Sequence, residues 1–251
     1  METYFHIRFE FDPATVHSSI AAGVASGTPG YICVADGNIL AMVHRNAEYR
    51  RTVGGALFSV CDSSWVPLYL RRLYGIRRQP YCGAQLFADI ISAARYRMAF
   101  LGTDEPTLAA LRQRLAGCNP AVTTMPFIPL PYTARAEDFD YPAIAAQLAP
   151  HAPDIIWVAL GAPKQERFAE LLATHLPRGI IIGVGAAFNF AAGRIRRAPR
   201  WVQRCRAEFL YRLLTEPRKQ LRRCLLILRT LPHIYLTERK RARTLSTQTQ
   251  A

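Results

Sequence analysis

Five short apolar runs set the frame for this chain: 30–35 (GYICVA), 56–61 (ALFSVC), 98–101 (MAFL), 155–160 (IIWVAL) and 179–184 (GIIIGV). Each has the length and the bounding turn residues of a strand buried on both faces, and segments with helical apolar spacing lie between them. Strands that alternate with helices pair in parallel and are covered on both sides, because each crossover lays a helix on the sheet. The sequence therefore predicts an α/β protein, a Rossmann-like, mostly parallel sheet with helices on both faces. Helices are expected over 14–25, 39–53, 65–75, 84–94, 105–115 and 142–148. Further strands are expected at 3–11 and 122–128, with a loop over 129–141. Ligands of such sheets bind outside the carboxyl ends of the strands. Asp36, Asp62, Gly102, Gln165 and Gly185 should all lie there.

The fourth run ends in the most informative turn, PDIIWVALGAPKQE (153–166). Gly161 breaks the strand. Pro163 opens a helix where its missing N–H costs nothing, and Lys164, Gln165 and Glu166 occupy the first turn. Free N–H groups and the helix dipole favour an anion beyond the strand end. An ordinary strand–helix junction would account for the apolar part, but not for a lysine and a glutamine placed to add a charge and an amide.

Charge is unevenly placed. Residues 1–193 carry 16 Lys/Arg and 15 Asp/Glu, whereas residues 194–251 carry 16 and 3, a net +13. From Arg200 the pattern is purely helical. This divides the chain into a nearly neutral catalytic body (1–199), a basic helical appendage (200–243) and a polar tail without structure (244–251). Basic helices interleaved with Trp201, Phe209, Tyr211 and Leu225–Leu228 suit an anionic membrane surface or a nucleic acid. No nucleic-acid motif accompanies them, which favours the membrane. The six cysteines (33, 61, 82, 118, 205, 224) show no metal-ligand spacing and read as reduced thiols of a cytoplasmic protein. The acidic N-terminus has no signal-peptide character, and no apolar run reaches the length of a membrane span.

Two stretches together resemble the WecG/TagA/CpsF family of bacterial glycosyltransferases. One is the strand followed by G-x-P-K-Q-E. The other runs over 183–223, with G-V-G-x-x-F-[DN]-x-x-x-G (Gly183, Gly185, Asn189), then R-A-P, then Y-R-L containing Arg212, then E-P-R containing Arg218 and a basic run. Weaker similarity extends back to about residue 30.

Asp62 follows the strand ALFSVC and precedes two serines. Read alone, it is better explained as a helix cap than as a general base. The resemblance implies the base, deprotonating the acceptor hydroxyl, although Ser63 stands where the family carries glycine. Asp36 is equally a cap or a substrate contact. The family resembles T-x-N at that strand end, where this chain has Val34 and Asp36. It also carries an arginine three residues before the glycine matched by Gly83, and here Pro80 replaces it, with Arg78 nearby as a substitute. The GVG of 183–185 lacks the third glycine and the acidic partner of a nicotinamide site, so its glycines are read as allowing close backbone approach to a nucleotide or sugar. Asp138-Phe139-Asp140 has the D-x-D form of a metal–nucleotide site, but lies in a loop and reads as a cap. The six histidines read as isolated, and no metal or cofactor is expected.

The resemblance thus implies a metal-independent, inverting glycosyltransferase, a hexosyltransferase that moves a sugar from a UDP-sugar to a polyprenyl-diphosphate-linked acceptor in surface polysaccharide synthesis. Asp62 would be the base. Asp36, Gly83, Gly161, Lys164, Gln165, Gly183, Gly185, Asn189, Arg212 and Arg218 would bind substrate, with the protein peripheral on the inner face of the membrane. Nothing in the sequence sets the oligomeric state, and a homo-oligomer is left open. The alternatives are a nucleic-acid-binding α/β protein, which would leave KQE without a role, and a nicotinamide oxidoreductase, which would leave the tail without one.

Overall fold

The computed structural model describes residues 1–195 and 217–249. It opens with a hairpin of β1 (Glu2–Tyr4) and β2 (Ile7–Glu10), then α1 (Pro13–Ser26), β3 (Gly30–Ala35), α2 (Gly37–Arg45), α3 (Ala47–Gly55) and β4 (Phe58–Cys61). Next come α4 (Trp65–Tyr74), α5 (Gly83–Ala93), β5 (Met98–Gly102), α6 (Glu105–Ala116) and the short β6 (Phe127–Ile128). α7 (Tyr141–Leu148), β7 (Ile155–Ala159), α8 (Lys164–Ala173), β8 (Ile180–Gly183) and α9 (Ala187–Ala191) follow, and the long α10 (Pro217–Thr249) comes last.

One sheet holds all eight of these strands in the order β1-β2-β4-β3-β8-β7-β5-β6. Only the β1–β2 pair is antiparallel. Ala35 pairs with Cys61, Val158 with Gly183 and Gly102 with Ala159, which aligns the carboxyl ends of the central strands along one edge. Alternate residues feed two cores. Ile32, Val34, Phe100 and Trp157 pack on the side of α5 and α6, while Cys33, Leu101, Ile156 and Val158 pack on the side of α2, α3 and α8. Burial on both faces is why these strands are apolar throughout rather than alternating.

Three local expectations differ from the structure. Residues 3–11 form a hairpin rather than one strand. Phe5 and His6 take positive φ (54° and 63°), the conformation of a tight hairpin turn. The helix expected over 39–53 is two helices, because Asn46 leaves the helical conformation and accepts the Tyr49 N–H at 3.0 Å to cap α3. In 122–128, Asn119 and Pro120 start a 3-10 turn over Pro120–Thr124, and only Phe127–Ile128 pair with the sheet.

α10 is not merely hung on the body. It packs on α2 and α4, burying Leu231 and Ile234. The Tyr74 hydroxyl donates to the buried Glu238 carboxylate at 2.8 Å, and Tyr69 meets Tyr235 ring to ring. At Gly37 a Cβ would lie 3.3 Å from Ile227, so the start of α2 is in close contact with this helix. The helix runs on to Thr249, past the boundary expected at 243. No helix among the described residues is long and apolar enough to cross a membrane.

Candidate active site

The carboxyl ends of β3 and β4 present two carboxylates. Asp36 caps α2, its Oδ1 accepting the N–H groups of Asn38 (3.0 Å) and Ile39 (2.9 Å), so the capping reading of this residue holds. Asp62 is different. Its N–H bonds the carbonyl of Ala35 at 3.0 Å, which sets it beside Asp36 across the strand pair, and its side chain is exposed. The first turn of α4 takes its side-chain acceptor from Ser63, whose Oγ receives the Trp65 N–H at 3.2 Å. The N-cap residue of α4, Ser64, makes no side-chain capping bond of its own.

The β7–α8 turn is built around Gln165, which is 4% exposed. Its Oε1 accepts the Gly161 N–H at 3.1 Å and its Nε2 donates to Glu166 Oε1 at 2.8 Å. Gly161 has φ 77°, and the Ala162–Pro163 bond is cis. The two glycines of GVG make room for this amide. A Cβ at Gly183 would lie 3.1 Å from Gln165 Cγ and Cδ, and one at Gly185 would lie 3.3 Å from its Oε1. These glycines thus admit a protein side chain, where sequence reading had them approached by nucleotide or sugar.

Glu166 is fully buried. The Tyr49 hydroxyl donates to its Oε2 at 2.9 Å. Burial pushes its carboxyl up from the ordinary 4.5 to about 7, against the opposing pull of the Gln165 and Tyr49 donors. The folded protein then keeps a proton that the unfolded chain releases, so this group's contribution to stability falls as pH rises from about 4.5 to about 7 and is flat beyond. The span is worth on the order of 3 kcal/mol. Urea unfolding of wild type and Glu166→Gln across this range should show the difference as a slope confined to that window, and a difference independent of pH would refute it.

Lys164 donates to the Thr133 carbonyl at 2.7 Å and lies 5.2 Å from the ring centre of Tyr132, a side chain 95% exposed. Beside this turn is a cavity of about 520 Å³ lined by Arg45, Arg135, Lys164 and Arg167, with Glu48 and Glu137 opposing and Leu226 of α10 at its wall. Arg167 is held by Glu137 (3.0 Å) and Glu170 (2.8 Å). Gly161 and Lys164 line the cavity, but Asp36, Asp62, Gly185 and Asn189 do not.

Other expected residues sit apart. A Cβ at Gly83 would lie 2.7 Å from Val34 Cγ1, so this glycine lets α5 close on β3. Gly83→Ala should lower stability by about 1–3 kcal/mol, as overpacking does. Val34→Ala in the same chain should restore most of it in denaturant unfolding, and no restoration would argue against this contact as the cause. Arg78 pairs with Glu2 at 3.2 Å at the outer edge of the sheet, beside a cavity of about 650 Å³ that also takes in Glu10 and Asp12. Asn189 lies on α9, half-buried. Arg218 falls in the first turn of α10, and Arg212 lies outside the described residues. Asp138 accepts the Arg135 N–H and Asp140 caps α7, as loop caps should. Among the described residues no group of three His, Cys, Asp or Glu side chains is placed to hold a metal ion.

The histidines are not all isolated. His44 meets His6 at 5.3 Å and His233 at 6.2 Å between ring centres, where α10 docks. Burial first, then the charges around it, push the His44 imidazole down to about 4. Neither this cluster nor Tyr49 carries a sequence signal, since each joins segments far apart in the chain.

The model of the glycosyl transferase WecG/TagA/CpsF family matches residues 5–245. This chain belongs to that family. It is a sugar transferase, a hexosyltransferase in class. It is 26% identical over 190 residues to an N-acetylglucosaminyldiphosphoundecaprenol N-acetyl-beta-D-mannosaminyltransferase of Bacillus spizizenii, covering 74% of this chain and 72% of that protein. To the Bacillus subtilis protein of the same name it is 38% identical over 78 residues, 31% of this chain and 30% of that protein.

Proposed function

We propose that this transferase moves an N-acetylhexosamine-type sugar from a UDP-sugar to a polyprenyl-diphosphate-linked acceptor, with inversion, at the inner surface of the membrane. The observation that carries the reading is Asp62, exposed at the carboxyl end of β4 beside the end of β3, in a chain of this family. The names of both relatives supply the class of donor sugar and of lipid-linked acceptor.

Asp62 takes the proton of the acceptor hydroxyl as that oxygen bonds the anomeric carbon. The anomeric carbon–oxygen bond to UDP breaks on the opposite face, and UDP leaves with the electron pair. Lys164, the free end of α8 and the arginines of the neighbouring cavity offset the diphosphate charge as it develops. Asp36 and Asn189 contact substrate, the charges of Arg212 and Arg218 offset that of the diphosphate, and Gln165, Gly161, Gly183 and Gly185 shape the wall they face. Gly83 acts through the packing of β3.

The deciding experiment incubates the protein with a panel of UDP-sugars and N-acetylglucosaminyl-diphospho-polyprenol, read by mass spectrometry, with and without chelator. A disaccharide-lipid product and an unchanged rate under chelator are expected. No product from any donor would overturn the reading, and loss restored by manganese or magnesium would overturn its metal independence.

A further inference from the structure

We propose that Tyr49 and Glu166 are positioning residues that set the state of the β7–α8 turn. With the carboxylate ionised and held by the Tyr49 hydroxyl, the Gln165 amide turns its oxygen to the Gly161 N–H; with the carboxyl protonated, the amide reverses and the turn loses that bond.

The chain of donors dictates this. An ionised carboxylate only accepts hydrogen bonds, so Glu166 Oε1 compels the Nε2 end of Gln165 to face it. The amide has two ends, and its oxygen is thereby left to receive Gly161 N–H. Once Glu166 carries a proton on Oε1, that O–H needs an acceptor, and the Gln165 oxygen supplies it after rotation of the amide, the Tyr49 hydroxyl staying bonded to Oε2. The Nε2 end would then oppose the Gly161 N–H, donor against donor. Gly183 and Gly185 bound the space in which the amide turns. Tyr49 favours the ionised state, because its hydroxyl is bonded to Oε2 from α3.

The titratable neighbours of this carboxyl are few. Tyr49 comes from α3 and Asp36 from the cap of α2, the latter acting through charge, while the Cys33 thiol of β3 is itself pushed up, by burial first and then by the Glu166 charge. On α8 itself Arg167 is held by Glu170 and by Glu137 of the facing loop. The bond at stake shapes the backbone next to Lys164, so the state of Glu166 reaches the cavity wall. That last step rests on the function proposed above.

The test uses the full chain labelled with nitrogen-15, as wild type, Tyr49→Phe and Glu166→Gln. In wild type the Gly161 backbone amide and the Gln165 side-chain amide should shift together with one midpoint as pH is raised from 5 to 9. Tyr49→Phe keeps the buried ring but removes the donor, and should raise that midpoint by about one pH unit, the worth of a hydrogen bond to a charged group. In Glu166→Gln the two signals should not titrate. The acid limb of the transfer rate should follow the same midpoint in wild type and Tyr49→Phe. A Gly161 signal that ignores pH in wild type, or titrates unchanged in Glu166→Gln, would overturn the proposal. Coupled signals with a pH-independent rate would uphold the switch and overturn the part given to the turn in transfer.

Discussion

Replacing Asp62 by asparagine is expected to lower the transfer rate by ~10²–10⁴-fold, the usual worth of a general base, while leaving fold and donor affinity in place. The substitution keeps the size of the side chain and removes only its ability to take a proton. The position is exposed, and asparagine keeps most of the hydrogen-bonding capacity of the side chain, so little stability is at stake. Asp36→Asn, at a residue given a substrate contact, is the companion variant. Asparagine caps a helix about as well as aspartate, so α2 should hold in that variant too. The measurements are turnover at saturating donor, UDP binding by calorimetry and thermal unfolding. A folded Asp62→Asn chain with near-normal turnover would end its assignment as base, and a loss confined to Asp36→Asn would move the base to the adjacent strand.

The contrast between these two carboxylates shows what the sequence discloses. Asp36, Asp104 and Asp140 each precede a helix and each accepts a first-turn N–H, a relation spanning three residues that local pattern reveals. The five buried strands and their parallel direction follow equally from local period and spacing. What pattern could not supply is partnership across the fold. Gly183 and Gly185 stand out as glycines, but that their partner is the Gln165 amide depends on β8 lying beside β7. Tyr49 reads as one more apolar position of α3, yet its hydroxyl meets a carboxylate 117 residues away. His6, His44 and His233 likewise come together only because α10 returns to α2. Val34 and Gly83 show the same limit, since a departure from the family at one position is felt as packing at the other.

Neutralising four exposed cations of α10 should weaken binding to anionic vesicles by orders of magnitude without unfolding the chain. Removing the helix altogether would not isolate this effect, because Leu231, Ile234 and Glu238 are buried against the body and would go with it. Arg229, Arg239, Lys240 and Arg243 are exposed and can be replaced by glutamine together, a good helix former that keeps the buried side intact. Each basic residue near an anionic surface contributes about 1 kcal/mol, so the four together should weaken binding by roughly 10³-fold, and added salt should weaken wild type in the same direction. Leu225 and Leu228 of α10 are exposed, as are Trp65 and Leu68 of α4, the helix on which α10 packs. Apolar side chains of this kind enter the headgroup region once charge has brought the helix to it. Co-sedimentation with vesicles containing phosphatidylglycerol, at low and high salt, measures the first effect, and transfer to a lipid-linked against a water-soluble acceptor measures its consequence. The quadruple variant should lose activity on the lipid-linked acceptor and keep it on the soluble one if the cations govern access to the surface and Asp62 the reacting hydroxyl, as proposed. Vesicle binding that survives the four substitutions and high salt would place the anchor elsewhere in the chain and end this account of its charge.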